Sequence, residues 1–355
     1  MDIPPLHDDH EWPYVLTLLP PDLEESAKQT GALVRCRHVP NAAALMRMAL
    51  AYAVSDLSLK DVAAWASALK IADITGPGLF YRVREAERWL ERVLAQTLQP
   101  DIRRGPSGLR LRIVDATVLN GPGAMGIEWR AHVVIDPATG GMCSVELTDT
   151  RGGESYTRHA VAAGEVVVGD RAYATARGLD AIRAAHAHVV VRVNPHTLRI
   201  CGAHRQPISL LSRETRVPAM GAIEWAVLVP IPPQKRTKSH KVWSLAKASA
   251  WLPARIVGAR TREGQVIWLL TTLPAADVPA LRVLELYRLR WQIELLFKRL
   301  KSLLHLDTLP SRQGPTAKSW MLARFLAAAL AQQCVQPAGP FSPWGYDLRE
   351  TGVHA

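Results

Sequence analysis

The chain has 355 residues, 48% of them hydrophobic and 21% charged, enough to bury a core and long enough for two or three domains. Its 43 lysines and arginines outnumber 32 acids, and the resulting charge of +11 points to an anionic partner, nucleic acid before a membrane surface. No window holds the ~18 apolar residues of a spanning helix, and the start "MDIPPLHDDHEWPYV" is acidic where a secretory leader is basic, so the expectation is a cytoplasmic protein with no membrane partner.

Residues 1–40 read as an acidic leader: up to position 30 there are seven acids against Lys28 alone, so the positive charge lies downstream. Residues 41–105 have helical periodicity. "NAAALMRMALAYAVSD" is an apolar helix, and "SLKDVAAWASAL" opens a second with Ser58 three residues before Asp61, a capping-box pattern. "TGPG" at 75–78 breaks the chain, and "LFYRVREAERWLERVLAQTL" reads as one further helix with Arg82, Arg84, Arg88 and Arg92 on polar positions. Helix, turn and arginine-bearing helix resemble a helix-turn-helix DNA reader, with Arg84 and Arg88 as candidate contacts; a small bundle with its arginines outside gives the same pattern.

From 106 to 195 the period changes. "LRLRIVDATVLNG" alternates as a strand expected to end in Asp115, and "WRAHVVID" and "MCSVELTDT" give two more strands joined by "PATGG", an antiparallel set. "GGESYTRHAVAAG" is expected to form a short crossover helix. "EVVVGDRAY" is a buried strand delivering Asp170 at its carboxyl end, followed by the helix "ARGLDAIRAAHAH" and the strand "VVVRVNP". Alternation of strand and helix with a carboxylate just past two strand ends, those of Asp115 and Asp170, is how an open α/β sheet builds a site at one edge.

Residues 196–275 read as a β-rich insertion, with strands in "AIEWAVLVPI", "PARIVGART" and "QVIWLLTTL". Its loop "PPQKRTKSHK" brings Lys235, Arg236 and Lys238, either a solvated charge run or a phosphate contact. Residues 276–335 contain "LELYRLRWQIELLFKRLKSLLHL" at 284–306, read as a single helix. At ~100° per residue, Tyr287, Arg290, Glu294 and Lys301 fall on one stripe roughly 100° wide, beside the apolar Leu289, Ile293, Leu296 and Leu300. Arg290 and Glu294 alone could be a plain i,i+4 pair, worth a few tenths of a kcal/mol. Residues 336–355 form a short tail, as a truncated or frameshifted chain would. Cys36, Cys143, Cys201 and Cys334 contain no CxxC pair, so neither a zinc ribbon nor a disulfide framework is indicated.

The spacing Tyr287-x2-Arg290-x3-Glu294-x6-Lys301 matches without a gap the signature of one group of insertion-sequence transposases of the DDE type, family four of the insertion sequences. "VDAT" around Asp115 and "GDRAY" around Asp170 resemble its first two acidic motifs, in the expected order. The resemblance runs from about residue 40 to 330, with Ala116 where the family often has Gly. It implies an α/β, ribonuclease-H-like catalytic core interrupted by the mainly β insertion and preceded by the helical domain. It also implies catalytic and metal-ligating roles for Asp115, Asp170 and Glu294, two magnesium ions with manganese as substitute, and DNA contacts from Tyr287, Arg290 and Lys301. The partners implied are double-stranded DNA, both inverted-repeat ends and target, and a second copy of the chain. A nuclease of the same fold without strand transfer, or a decayed copy that binds DNA without cutting it, stays open.

The chemistry has its own logic. Breaking and joining a phosphodiester is served by two divalent cations ~3.5–4 Å apart, which stabilise attacking and leaving oxygens in line. Hard cations of this kind take oxygen ligands, and magnesium uses few carboxylates while keeping several waters.

Overall fold

A computed structural model describes residues 11–55, 57–98, 108–121, 129–233, 244–306, 309–310 and 314–335. Six helices come first: α1 (Glu11–Leu18), α2 (Leu23–Thr30), α3 (Ala42–Val54), α4 (Leu59–Ala68), α5 (Gly76–Glu85) and α6 (Glu87–Thr97). Side-chain caps set the starts of α3, α4 and α5. Asn41 Oδ1 accepts the Ala44 N–H at 2.8 Å, and Ser58 with Asp61 closes the expected capping box.

Two details differ from the sequence reading. "TGPG" does break the chain, but it also begins a helix: Thr75 Oγ1 accepts the Gly78 N–H at 3.3 Å and Pro77 sits in the first turn, where its missing N–H costs nothing. The arginine-bearing segment is two helices rather than one, divided at the fully buried Ala86, whose N–H bonds Arg82 and Val83 carbonyls together. The bend lets Leu79 and Val83 share a core with Trp89, Leu90, Val93 and Leu94. No glycine or proline marks it, because tertiary packing makes it.

The strands are β1 (Arg110–Leu119), β2 (Trp129–Asp136), β3 (Gly141–Asp149), β4 (Glu165–Gly169), β5 (His188–Arg192), β6 (Ala222–Ile231), β7 (Ala250–Arg260) and β8 (Val266–Thr271). They join in one sheet ordered β3-β2-β1-β4-β5-β8-β7-β6. β1 to β3 are antiparallel as expected, β4 runs parallel to β1 and β5 to β4, and the remaining pairs are antiparallel. The fold is thus mixed α/β with N-terminal helices. The strands expected between 196 and 275 form, and β8 pairs with β5, so they continue the same sheet. A helix α7 (Ala176–Ala184) links β4 to β5.

The crossover helix expected over 152–164 shrinks to one 3-10 turn, Tyr156–Arg158. The reason is visible upstream: the Gly152 carbonyl accepts from Arg130 Nη1 (3.0 Å) and the Gly153 carbonyl from Arg158 Nε (2.7 Å). Those carbonyls are committed to arginines rather than to a following helical turn.

Three helices complete the fold: α8 (Ala280–Arg288), α9 (Trp291–Leu304) and α10 (Gly314–Val335). One face of the sheet packs with the N-terminal helices, α8, α9 and α10 in a common core; the other face makes a second core with α7. α10 lies against α3 and α6, and its Lys318 ammonium pairs with Glu87 at 3.0 Å. At the end of β1 and β4 remote from the aspartates, Glu165 is fully buried. It accepts from Arg112 Nε at 2.5 Å, from Arg110 Nη2 at 3.0 Å and from the Ala162 N–H at 2.9 Å. No helix among the described residues is long and apolar enough to cross a membrane.

Candidate active site

Parallel register builds the centre of the site. The last registered pair of β1 and β4 is Val114↔Gly169, so Asp115 and Asp170 follow as neighbours. Asp115 does not end its strand as expected: β1 runs on to Leu119 because its other edge stays paired with β2, and only the parallel pairing with β4 stops before it. Asp170 leaves β4 with extended backbone and starts the 3-10 turn Arg171–Tyr173. The residue before it has to be glycine: a Cβ at position 169 would stand 2.5 Å from Tyr156 Oη and 3.2 Å from Tyr173 Cβ. Both tyrosines are buried, so neither ring can retreat. Gly169→Ala is expected to lower stability by about 1–3 kcal/mol through overpacking, measured by denaturant unfolding; an unchanged midpoint would show that the tyrosines have room to move.

Asp115 is mostly sheltered. Its Oδ1 accepts the Ala116 N–H at 2.8 Å and its Oδ2 faces Arg290 Nη1 at 3.4 Å. Burial pushes its carboxyl up to about 6, with the Ala116 N–H and Arg290 opposing and the charges of Glu154 and Asp170 adding to the rise. A proton held to that pH is the physical sign of carboxylates crowded in a poorly solvated place.

The signature helix is not continuous. α8 ends at Arg288 and α9 begins at Trp291, with a tight step at Leu289 and Arg290. There the N–H groups of Leu289, Arg290, Gln292 and Ile293 bond three residues back instead of four. The single stripe drawn on one helical wheel therefore does not hold across the step, although Ile293, Leu296 and Leu300 are buried as foreseen. No breaker residue announces the step. It leaves Arg290 at the junction, 18% exposed, where the guanidinium reaches Asp115 and also donates Nη2 to Glu294 Oε1 at 2.5 Å. Tyr287 lies beneath, its ring centre 5.7 Å from the Arg290 Cζ, and burial raises its hydroxyl above the usual range.

Asp115 and Asp170 thus come together directly, whereas Glu294 is joined to Asp115 through Arg290 and keeps a side chain 55% exposed. Among the described residues no three His, Cys, Asp or Glu side chains converge on one ion position in this conformation. The donors are carboxylate oxygens, the kind that suit magnesium or manganese rather than soft metals. Lys301 is half-buried further along α9. Arg84, stacked over the Tyr81 ring at 4.9 Å, and Arg88 are exposed on α5 and α6, while Arg82 donates to the Arg35 carbonyl and Arg92 to Asp22. Lys235, Arg236 and Lys238 lie outside the described residues.

One acid was not foreseen. Glu154 carries a carboxyl raised by burial, opposed by Arg130 and raised again by Asp170, and its charge acts on Asp115. The signal in the sequence was "GGESY", an acid behind two glycines and before a buried tyrosine, read there as the start of a helix.

Paired aspartates on adjacent strands, with a glutamate and a guanidinium brought from a helix, define a class of α/β enzyme with an acidic site. The family described as "Transposase DDE domain" matches residues 106–330. The chain is 35% identical over 363 residues to the InsL protein of insertion sequence element IS186A of Escherichia coli K12, covering 95% of this chain and 96% of the relative. It is equally 35% identical over 364 residues, with the same coverage, to the transposase for insertion sequence element IS421 of Escherichia coli. The chain belongs to the DDE transposases of insertion sequences.

Proposed function

We propose that the protein binds the terminal inverted repeats of its insertion sequence, cleaves at the element's ends and joins them to target DNA, working as a homodimer in which two ends are held together. The observation that carries this reading is the adjacency of Asp115 and Asp170 just past the parallel pairing of β1 with β4, with Asp115 tied by Arg290 to Glu294. The core is read as ribonuclease-H-like; the antiparallel β1 to β3 followed by β4 and β5 running parallel to β1 support that reading.

Asp115, Asp170 and Glu294 would hold two magnesium ions, or manganese in their place. When bound, such ions stabilise the attacking and leaving oxygens of an in-line displacement at phosphorus. The chain's own groups do the rest. Arg290 and Lys301 are donors only and cannot ligate a cation, so their work is to grip DNA phosphates, and the planar guanidinium also orients Glu294. Tyr287 supports the guanidinium from below and offers its hydroxyl to a phosphate. Arg84, Arg88 and the basic loop Lys235, Arg236 and Lys238 add phosphate contacts farther from the cut.

The test is cleavage and joining of pre-nicked and intact end substrates in manganese. Arg290→Ala is expected to slow joining by about a hundredfold, the scale of losing one preorganised charged donor, and Lys301→Ala less, because a point charge lacks the bidentate fork. Parent-like cutting and joining by both would make the two cations structural. Cutting without joining by the parent protein would indicate a nuclease instead.

Affinity for end DNA is expected to fall by about a thousandfold between 50 and 200 mM salt if several phosphates are neutralised. A titration that is flat over this range would remove the +11 charge from the argument.

A further inference from the structure

The loop that carries Glu154 is held on every side except at the carboxylate. Arg130 Nη1 donates to the Gly152 carbonyl at 3.0 Å and Arg158 Nε to the Gly153 carbonyl at 2.7 Å. The Gly152 N–H donates to the Asp149 carbonyl at 3.1 Å, and the Arg158 guanidinium is itself anchored on Glu146 at 2.9 Å. Gly152 is packed so closely that a Cβ there would lie 2.0 Å from Thr148 Oγ1. Immediately after Glu154, Ser155 Oγ accepts the Thr157 N–H at 3.2 Å and begins the 3-10 turn. Such tethering is unusual for a solvent loop, and it fixes where the next side chain starts.

Yet among the described residues the Glu154 carboxylate, half-buried, takes no hydrogen bond or ion pair. Two residues on, Tyr156 sets its ring 5.1 Å from that of Tyr173 and its hydroxyl against Gly169, so the turn that carries Glu154 is packed on the residues either side of Asp170, and the Glu154 charge bears on Asp115 as well. A second observation comes from the other side. Tyr173, on the turn just after Asp170, is fully buried, and its hydroxyl has no partner among the described residues. The charges of Glu154 and then Asp115 are the ones that act most on it. A tethered acid and a buried hydroxyl, neither with a partner among the described residues, are therefore carried on segments packed beside Asp170.

We propose that Glu154 is a fourth acidic residue of the site, a positioning residue that accepts hydrogen bonds from the water shell of a divalent cation held by Asp115 and Asp170, with the Tyr173 hydroxyl as its companion. The chemistry fits, since magnesium and manganese keep several waters when few carboxylates reach them, and groups that orient those waters fix the ion. The inference rests on the proposed two-metal reading of Asp115 and Asp170.

The probe is manganese ion titrated into the DNA-free, full-length protein, with bound and free ion distinguished by electron paramagnetic resonance and folding checked by thermal unfolding. Glu154→Gln is expected to weaken manganese binding by about tenfold or more at an unchanged unfolding midpoint, the scale of losing an outer partner of a metal site. Glu154→Asp, which keeps the charge, should recover part of the loss, and Tyr173→Phe should shift affinity in the same direction by less. Asp115→Asn serves as the control: if it leaves manganese binding intact, the metal reading itself falls. If Asp115→Asn removes binding while Glu154→Gln and Glu154→Asp both stay within about twofold of the parent, Glu154 has no part in the site and this proposal alone is overturned. Should Glu154→Gln lower the unfolding midpoint, full affinity in Glu154→Asp and Tyr173→Phe with no loss in either would equally overturn it.

Discussion

Asp115→Asn is expected to lower metal-dependent end cleavage by about a thousandfold or more, about 4 kcal/mol of transition-state stabilisation, while end binding stays within a few-fold. Asp170→Ala and Glu294→Ala should behave alike; retained cleavage in any one variant removes that residue from the site. The asparagine variant should show a second, opposite effect. Because burial lifts the Asp115 carboxyl from 3.8 to about 6, the folded protein holds this proton more tightly than the unfolded chain does. The stability linked to it is present below about pH 4 and is lost as pH rises through 6. In chelator, at neutral pH, asparagine should therefore make the protein more stable by up to about 2 kcal/mol, a shift of some two units at 1.36 kcal/mol each, discounted for partial exposure. The gain should vanish at pH 4. A variant that is catalytically dead and less stable at both pH values would mean that Asp115 holds the strand in place rather than being held there at a cost.

Glu165→Ala is the other large effect, and it falls on stability rather than chemistry. Glu165 has no exposed side-chain surface and Arg112 only 10%, so removing the carboxylate takes from a buried guanidinium the charge that accepts from both its Nε and its Nη2. Breaking one partner from a buried pair typically costs about 3–5 kcal/mol. The free energy from denaturant unfolding should fall by that amount, with Arg110, 34% exposed, unable to compensate because it can turn to water instead. A loss under about 1 kcal/mol, the value of a surface pair, would show that solvent reaches the pair.

What could be read in advance follows from how local each cause is. The strands β1 to β4 and the β4 end that precedes Asp170 were legible because apolar alternation and turn chemistry act over a few residues. The capping box at Ser58 was legible for the same reason. The run of β1 beyond Asp115 to Leu119 was not, since pairing with β2 sustains it. The division at Ala86 and the step at Leu289–Arg290 were not, since both are made by packing across the chain, at positions where the sequence carries good helix formers. The glutamate of the signature was legible as a residue, but its engagement by Arg290 depends on that unseen step. Glu154 was passed over because its neighbours are fixed by Arg130 and Arg158, arginines whose role as tethers shows only in three dimensions.

The contact of α10 with α3 and α6 has a consequence for how the chain is made. Trp320, Met321, Phe325 and Leu326 of α10 fill a core whose other wall, including Leu45, Met48, Leu90 and Leu94, emerges from the ribosome more than two hundred residues earlier. Throughout that interval of synthesis the early helices present an apolar surface with no lid, a condition that favours chaperone capture or self-association. Synthesis of α10, rather than of the six early helices, is then the event that closes this core, and a ribosome that stalls before codon 314 releases a product that is sticky instead of merely inactive.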